Sequence, residues 1–261
     1  MDRKIAVVSI ATGEYTKYWK EMAKSLFANI SEPVTLYVAT DDEKIAECLV
    51  ESENDKNKIV IMKIPSYGWP EATLFRYEII RSMLQNSSET FTFYLDADMI
   101  VHEDFVQNLS PKIDEIILIS HPGFYRPRGK LRLNLYFRNP LVMASDIFHI
   151  IRDGGLGAWE NRIESLAYVA RKKRLNYVCG GFWGGDTRNI LTMITKLERN
   201  VKEDLGNGVM ARWHDESHLN AWAAKNDFRL ENSAYCHDST YENIKHLEVI
   251  ITAVRKFPNK N

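Results

Sequence analysis

Apolar residues follow two alternating rhythms along the chain. The runs Ile5 to Ile10, Val34 to Ala39, Ile59 to Ile64, Phe91 to Leu95 and Ile116 to Ile119 have the length of strands. Their near-continuous apolar character predicts strands covered on both faces. Between them the spacing changes. From Glu14 to Ile30, Tyr15, Trp19, Met22, Ala23, Leu26 and Phe27 recur at helical intervals, which predicts an amphipathic helix. Glu71 to Leu84, Thr187 to Asn200 and Asp215 to Lys225 read as further helices. Strands alternating with helices predict an α/β fold with a central, mainly parallel twisted sheet.

The rhythm lapses at 126–158, where Arg126, Arg128, Lys130 and Arg132 open a segment that continues as an apolar stretch and closes on Gly154-Gly155-Leu156-Gly157. An insertion or lid on a single domain spanning 1–261 is expected there, followed at 255–261 by a mobile basic tail. The chain has 261 residues, with 34 Lys and Arg against 35 Asp and Glu. That balance gives no global field for nucleic acid. Cys48, Cys179 and Cys236 form no close pair in sequence, which favours a reducing compartment. The opening MDRKIAVVSI reads as a first core strand and not as a signal peptide. No stretch approaches the roughly 18 apolar residues of a membrane span, so a soluble, cytoplasmic protein is expected.

Chemistry concentrates at four places. Asp96-Ala97-Asp98 follows the apolar run Phe91 to Leu95. Two carboxylates at a strand exit can turn toward one hard cation, at the carboxyl edge of the sheet where ligands of open α/β folds collect. A polar strand end with surface carboxylates is the plainer reading. Trp213-His214-Asp215-Glu216-Ser217-His218 is the second cluster. Its histidines are four apart, but the order is not HExxH, so zinc hydrolysis is disfavoured. Asp215 reads either as a helix cap or, with Glu216, as one of two carboxylates facing a polar pocket. Gly180-Gly181-Phe182-Trp183-Gly184-Gly185 is not a dinucleotide-binding GxGxxG. It fits either a tight turn or a close backbone approach to a ligand beside two rings. His121-Pro122-Gly123-Phe124-Tyr125 sets an imidazole near the same sheet edge.

Taken in order, Tyr15, Gly68-Trp69-Pro70, Asp96-Ala97-Asp98, HPGFY from His121, Glu164-Ser165-x-Ala167-Tyr168-Val169, GGFWGG from Gly180, WHDESHLN from Trp213 and Thr252-Ala253-Val254 resemble the blood-group A/B-type and α-1,3-galactosyltransferase family, in particular its short microbial or viral members. The resemblance implies a GT-A-like fold and a manganese-dependent, retaining enzyme. It would pass GalNAc or Gal from UDP-GalNAc or UDP-Gal to the 3-hydroxyl of a galactose-terminated or α-1,2-fucosylated oligosaccharide. By the same resemblance Asp96 and Asp98 hold the metal and, with Ala97, the diphosphate. Ala11, Thr12 and Tyr15 lie at the uridine end, Arg76 holds the donor, and Lys256, with Arg255 or Lys260, closes over the phosphates. His121 and Trp213 would contact the acceptor, Asp215 would orient a sugar, and Glu216 would be the catalytic carboxylate. Cys179 and Gly181 fall at the donor-specificity positions, where the small Gly181 favours UDP-GalNAc, and Gly180 between them is expected to border the substrate as well. The segment from Tyr125 to Glu164 is longer than in the mammalian members. A carbohydrate-binding descendant of a transferase and a UDP-sugar hydrolase are the alternatives.

Overall fold

The computed structural model describes residues 3–47 and 56–254. Cys48, Arg255, Lys256 and Lys260, and with them the expectation of a mobile tail, lie outside the described residues. In chain order the strands are β1 (Ile5–Ala11), β2 (Val34–Thr40), β3 (Lys58–Lys63), β4 (Phe91–Leu95), β5 (Met99–Val101), β6 (Ile116–Ser120), β7 (Val178–Asp186), β8 (Arg229–Glu231) and β9 (Ile251–Ala253). Seven of them form one sheet in the order β3-β2-β1-β4-β7-β6-β8, and β5 pairs with β9 apart from it. Within the seven-stranded sheet β7 runs antiparallel to both its neighbours while the other pairs are parallel, and the separate β5–β9 pair is antiparallel. The expected mainly parallel α/β architecture, of the GT-A-like kind, is therefore what the chain adopts.

Both faces of the sheet are packed, and successive side chains alternate between them. Ile5 and Val7 join Phe93, Leu95 and Leu36 in one core layer, under helix α1 (Tyr15–Asn29) and its buried Trp19, Met22 and Leu26. Ala6, Val8 and Tyr94 enter the opposite layer. There they meet three helices, α3 (Arg76–Leu84), α7 (Thr187–Gly206) and α8 (His214–Ala223); the short α2 (Glu71–Leu74) precedes α3, and the short α4 (Phe105–Leu109) lies between α3 and α7 in the chain. Local signals set the boundaries. Asp104 accepts from the Val106 and Gln107 amides to start α4, and Asp186 accepts from Arg188 and Asn189 to start α7, each satisfying amides that lack intrahelical partners.

Two expectations need correcting, and the 126–158 segment takes a definite form. The helix expected over Glu71 to Leu84 is two helices, broken at Phe75, whose ring packs on Tyr67. The 126–158 segment is a helical hairpin, α5 (Lys130–Arg138) and α6 (Pro140–Asp153), started by Pro140 and ended by Gly154 at φ 74°. Gly180–Gly185 is no turn but the middle of β7. Phe182 and Trp183 are fully buried there, stacked on Phe93 and Tyr94, so they offer no ring face to a ligand. The glycines serve close packing instead. A Cβ on Gly184 would lie 2.2 Å from the Phe93 ring, opposite which it sits in register.

Candidate active site

β4 ends where β7 has no further strand on that side. The β4–β7 register closes at Leu95 and Phe182, and one last bond runs from the Asp96 amide to the Gly181 carbonyl, 2.9 Å. On the other side the β6–β7 register slips between Leu118 and Ser120, leaving residues 179–182 of β7 without strand partners there. Irregularities of this kind re-aim side chains and end pairing, and the exposed backbone groups must find other partners. Helix α8 supplies them. Asn220 both donates to the Val178 carbonyl (2.9 Å) and accepts from its amide (2.8 Å), and Glu216 Oε2 accepts from the Gly180 amide at 2.9 Å. Four helical residues advance about 6 Å and two strand residues about 6.7 Å. Glu216 and Asn220 therefore meet Gly180 and Val178 in step, and Glu216 is held in place by the backbone it satisfies.

Arg76, the first residue of α3, reaches the same spot from the opposite helix. Its Nη1 donates to the Gly180 carbonyl at 3.0 Å and lies 2.7 Å from Asp215 Oδ2, and its Nη2 donates to Asp96 Oδ1 at 3.1 Å. The guanidinium sits over the Tyr94 ring, 4.7 Å from its centroid, and the Tyr94 hydroxyl donates to Asp96 at 2.5 Å. A Cβ at 180 would lie 3.3 Å from Arg76 Nη1 and 3.5 Å from Asp215 Oδ2 and from Glu216 Cβ, so the space around this glycine is already filled by the converging side chains. Glu216 Oε1 accepts from the Tyr177 hydroxyl at 2.9 Å. Tyr94 and Tyr177 were not expected from the sequence. Their signal is weak, a tyrosine two residues before the aspartate pair and another just before the glycine run.

Burial shapes the charge of these groups. Desolvation pushes Asp215 up to about 7, against the pull of Arg76 and with the push of Asp96 and Glu216. Arg76 is desolvated as well, yet Asp215 and Asp96 hold it protonated. Burial and the neighbouring Glu216 raise Tyr177 well above an ordinary tyrosine, so its hydroxyl stays a donor. A carboxyl titrating near neutrality can give or accept a hydrogen bond with a sugar hydroxyl, whereas one bonded by an amide and a phenol is fixed as a point of negative charge.

A cavity of about 530 Å³ is lined by the candidates Thr12, Tyr15, Arg76, Asp96, Ala97 and Asp98, together with Tyr67, Trp69 and Thr73. Ala11 does not line it, because its side chain is buried in the core beneath α1. Asp215 is buried behind Arg76, and Gly181 sits where a Cβ would touch Met99 and Asp96 Oδ2. Cys179 is buried with Cys236, whose thiol hydrogen-bonds to it and is pushed well above its usual pKa by that bond and by burial. Trp213 is half exposed, and His121 packs against Phe124 and Tyr177. Asp215 is not the cap of α8. That position is Trp213, whose amide donates to Ser217 Oγ, and His214 follows in a left-handed conformation, φ 44°, beside Thr73 and Trp69. His218 faces Asp204, and among the described residues no three His, Cys, Asp or Glu side chains are grouped to hold a metal unaided. No described helix is long and apolar enough to cross a membrane.

Comparison with known proteins agrees with this geometry. The model of glycosyltransferase family 6 matches residues 147–260, the part that carries β7, α7 and α8. A histo-blood group ABO system transferase of Rattus norvegicus is 27% identical over 63% of this chain and 40% of its own. A globoside α-1,3-N-acetylgalactosaminyltransferase of Gallus gallus is 24% identical over 83% of this chain and 56% of its own. The chain thus spans about half the length of these vertebrate relatives. An O-antigen biosynthesis glycosyltransferase of Escherichia coli is 22% identical over 95% of this chain and 93% of its own. Similarity to these transferases extends along most of the sequence.

Proposed function

We propose that the chain is a retaining glycosyltransferase that moves GalNAc, or Gal, from a UDP-sugar to the 3-hydroxyl of a terminal, α-1,2-fucosylated galactose. The observation that carries this reading is that Arg76 and Glu216 take the two backbone groups of Gly180 while Arg76 also binds Asp96 and Asp215, at the rim of the cavity that Thr12, Tyr15 and Asp98 line. Uridine fits the Thr12 and Tyr15 end, and the diphosphate the Asp96 and Asp98 end. Glu216, held by two donors, is placed to stabilise positive charge developing at the anomeric carbon. Asp215 orients the sugar once Arg76 turns toward the donor. His121 and Trp213 border the acceptor.

The charge around the cavity fits a divalent cation. Among the described residues that line it, Arg76 is the one cation, set against Glu14, Asp96 and Asp98, and Arg76 is already matched by Asp96 and Asp215. A diphosphate entering there meets an acidic wall and needs added positive charge. Asp96 and Asp98 would hold manganese together with the phosphates, the usual arrangement of one or two carboxylates completed by substrate oxygens. Such an ion would neutralise the nucleoside-diphosphate leaving group. Lys256, which lies outside the described residues, would add a second positive charge.

The test is an NMR-resolved transfer assay with UDP-GalNAc and UDP-Gal, using 2'-fucosyllactose and lactose, with manganese or with chelator. The expected result is an α-linked product formed only with metal, more from UDP-GalNAc and more on the fucosylated acceptor. UDP release without glycan product would point to hydrolysis, and no turnover with any pair to the binding-protein alternative.

A further inference from the structure

Helix α6 is built inside out. Its inward face carries Asp146, His149 and Asp153, while Leu141, Met143, Ile147, Phe148, Ile150 and Ile151 are exposed. The polar face is fully engaged. Arg126 grips Asp146 with two bonds of 2.8 and 2.6 Å, the Tyr136 hydroxyl donates to the same carboxylate at 2.6 Å, and Arg152 and His149 hold Asp153. The adjoining α5 adds Leu133 and Phe137, the latter 91% exposed. A helix packed on its own core has the reverse arrangement, and a contiguous apolar face of this breadth on a soluble protein marks a surface that something covers.

The exposed charges on the hairpin itself are of one sign. Between residues 126 and 153 the acidic residues are Asp146 and Asp153, both buried, whereas Arg128, Lys130, Arg138 and Arg152 are exposed. Arg171, Lys172 and Lys173 extend the basic rim past the end of α6, where Arg171 donates to the Ile151 carbonyl and Leu175 is exposed. The chain as a whole is nearly neutral, with formal charge -1, so the patch is local. An apolar face rimmed by cations fits an anionic lipid surface, with the aliphatic side chains at the acyl boundary and the arginines among head-group phosphates. A second copy docked through the same face would set cation against cation.

We infer that the α5–α6 hairpin is an interfacial anchor that lays this side of the protein on an anionic bilayer. Its position gives the anchor a purpose. His149 packs on Phe124 at 5.4 Å between ring centroids, Phe124 on Tyr177 at 5.1 Å, and Tyr177 bonds Glu216. The bilayer surface then lies about one helix diameter, roughly 10–12 Å, from the loop that carries His121. A cavity of about 640 Å³, lined by Tyr125, Leu131, Arg132, Leu175 and Tyr177 among others, connects the hairpin to that region. An acceptor glycan carried on a lipid would be presented there. This last step rests on the transferase reading, whereas the anchoring does not.

The experiment is flotation of the full chain with vesicles of phosphatidylcholine and phosphatidylglycerol in equal parts, against vesicles of phosphatidylcholine alone. Wild type is expected to float with the anionic vesicles and much less with the neutral ones, and to be released by high salt. Replacing Phe137→Ser and Ile151→Ser together removes two exposed side chains and should lower partitioning on the order of tenfold or more. Its thermal melting and its turnover of a soluble acceptor should be unchanged. Replacing Arg128→Ala, Lys130→Ala and Arg138→Ala together should abolish the preference for phosphatidylglycerol. The inference is overturned if wild type fails to float, if the serine variant floats equally, or if light scattering shows a dimer that the serine variant dissolves while vesicles bind neither. Flotation needs no sugar nucleotide, so a protein that floats but transfers nothing refutes the transferase reading alone.

Discussion

Replacing Glu216→Gln isolates the charge of the proposed catalytic carboxylate from its geometry. In the wild type Oε2 accepts from the Gly180 amide and Oε1 from the Tyr177 hydroxyl, each at 2.9 Å. A glutamine keeps the first bond through its carbonyl oxygen. Its amide nitrogen then faces the Tyr177 oxygen, which can rotate its proton away and accept, so the network survives with one donor reversed. The folding cost is that of weakened bonds to a formerly charged acceptor, about 1 kcal/mol. The catalytic cost is larger, because a fixed negative charge beside a developing cation is worth several kcal/mol in a desolvated site. About 4 kcal/mol corresponds to a roughly thousandfold fall in kcat/KM. UDP binding, proposed for the Thr12 and Tyr15 end, should change less than about threefold. Tyr177→Phe is the calibrating variant. It leaves Glu216 charged with one bond fewer, so about tenfold is expected. The assay is initial-rate transfer followed by NMR, with UDP affinity by calorimetry and thermal melting as the check on folding. The reasoning fails if Glu216→Gln turns over within about threefold of wild type. It fails equally if UDP affinity falls as far as turnover does, since the residue would then hold the site together without acting in the reaction.

Asp96→Asn and Asp98→Asn should each raise the manganese concentration needed for half-maximal turnover by about tenfold or more, and an unchanged metal titration would remove them as ligands. Gly181→Ala places a Cβ 2.5 Å from Met99 Cε and 3.0 Å from Asp96 Oδ2, so kcat/KM should fall about tenfold more for UDP-GalNAc than for UDP-Gal, and an unchanged donor ratio would reject the steric account. Gly184→Ala would drive a Cβ to 2.2 Å from the Phe93 ring and 2.6 Å from the Thr92 carbonyl. It should cost about 3 kcal/mol and lower Tm by roughly 6–12 °C, while Gly206→Ala, whose Cβ meets nothing within 4 Å, should be neutral or slightly stabilising in the same calorimetric scan. Asp153, which burial alone would raise, is lowered from 3.8 to about 2 by Arg152 and His149. Its contribution of about 2 kcal/mol is present above pH 4 and lost as pH falls through 4 toward 2. The gap in urea midpoint between wild type and Asp153→Asn should therefore narrow by roughly half between pH 6 and pH 3.

What could be read in the sequence follows from how local each determinant is. β1, β2, β4 and β6 are apolar runs because helices cover both faces of the sheet, and such runs announce themselves. Asp96 and Asp98 are visible because they interrupt one of those runs at its end. β7 is not visible, since its strand character comes from Phe93 and Glu115 pressing on Gly184 and Gly185, and glycine taken alone signals a turn. β5, β8 and β9 have three residues each, too few for any period to register. In α6 the apolar period is plain, but its direction is not. Only the buried partners of Asp146 and Asp153 show that the polar face turns inward. The association of Arg76 with Asp215 spans well over a hundred residues and has no local trace at all.

That long-range pair gives the site a definite shape. Arg76 begins α3, Asp96 leaves β4, Gly180 lies in β7 and Asp215 begins α8, so one guanidinium gathers the ends of four elements. Its planar fork can serve Asp96 and Gly180 at once and still stack on Tyr94. A lysine, with one rotating ammonium, could serve only part of that set. The arrangement also places its cost where function can use it. Asp215 is buried beside two further carboxylates and titrates near 7, so in the ligand-free protein it depends on Arg76 for its charge. Any anion that draws Arg76 toward the cavity weakens the hold on Asp215 and leaves that carboxyl seeking a donor. A sugar hydroxyl can supply one. Donor binding and sugar orientation are then coupled through a single side chain, and a substitution of Arg76 should disturb both together and not either one alone.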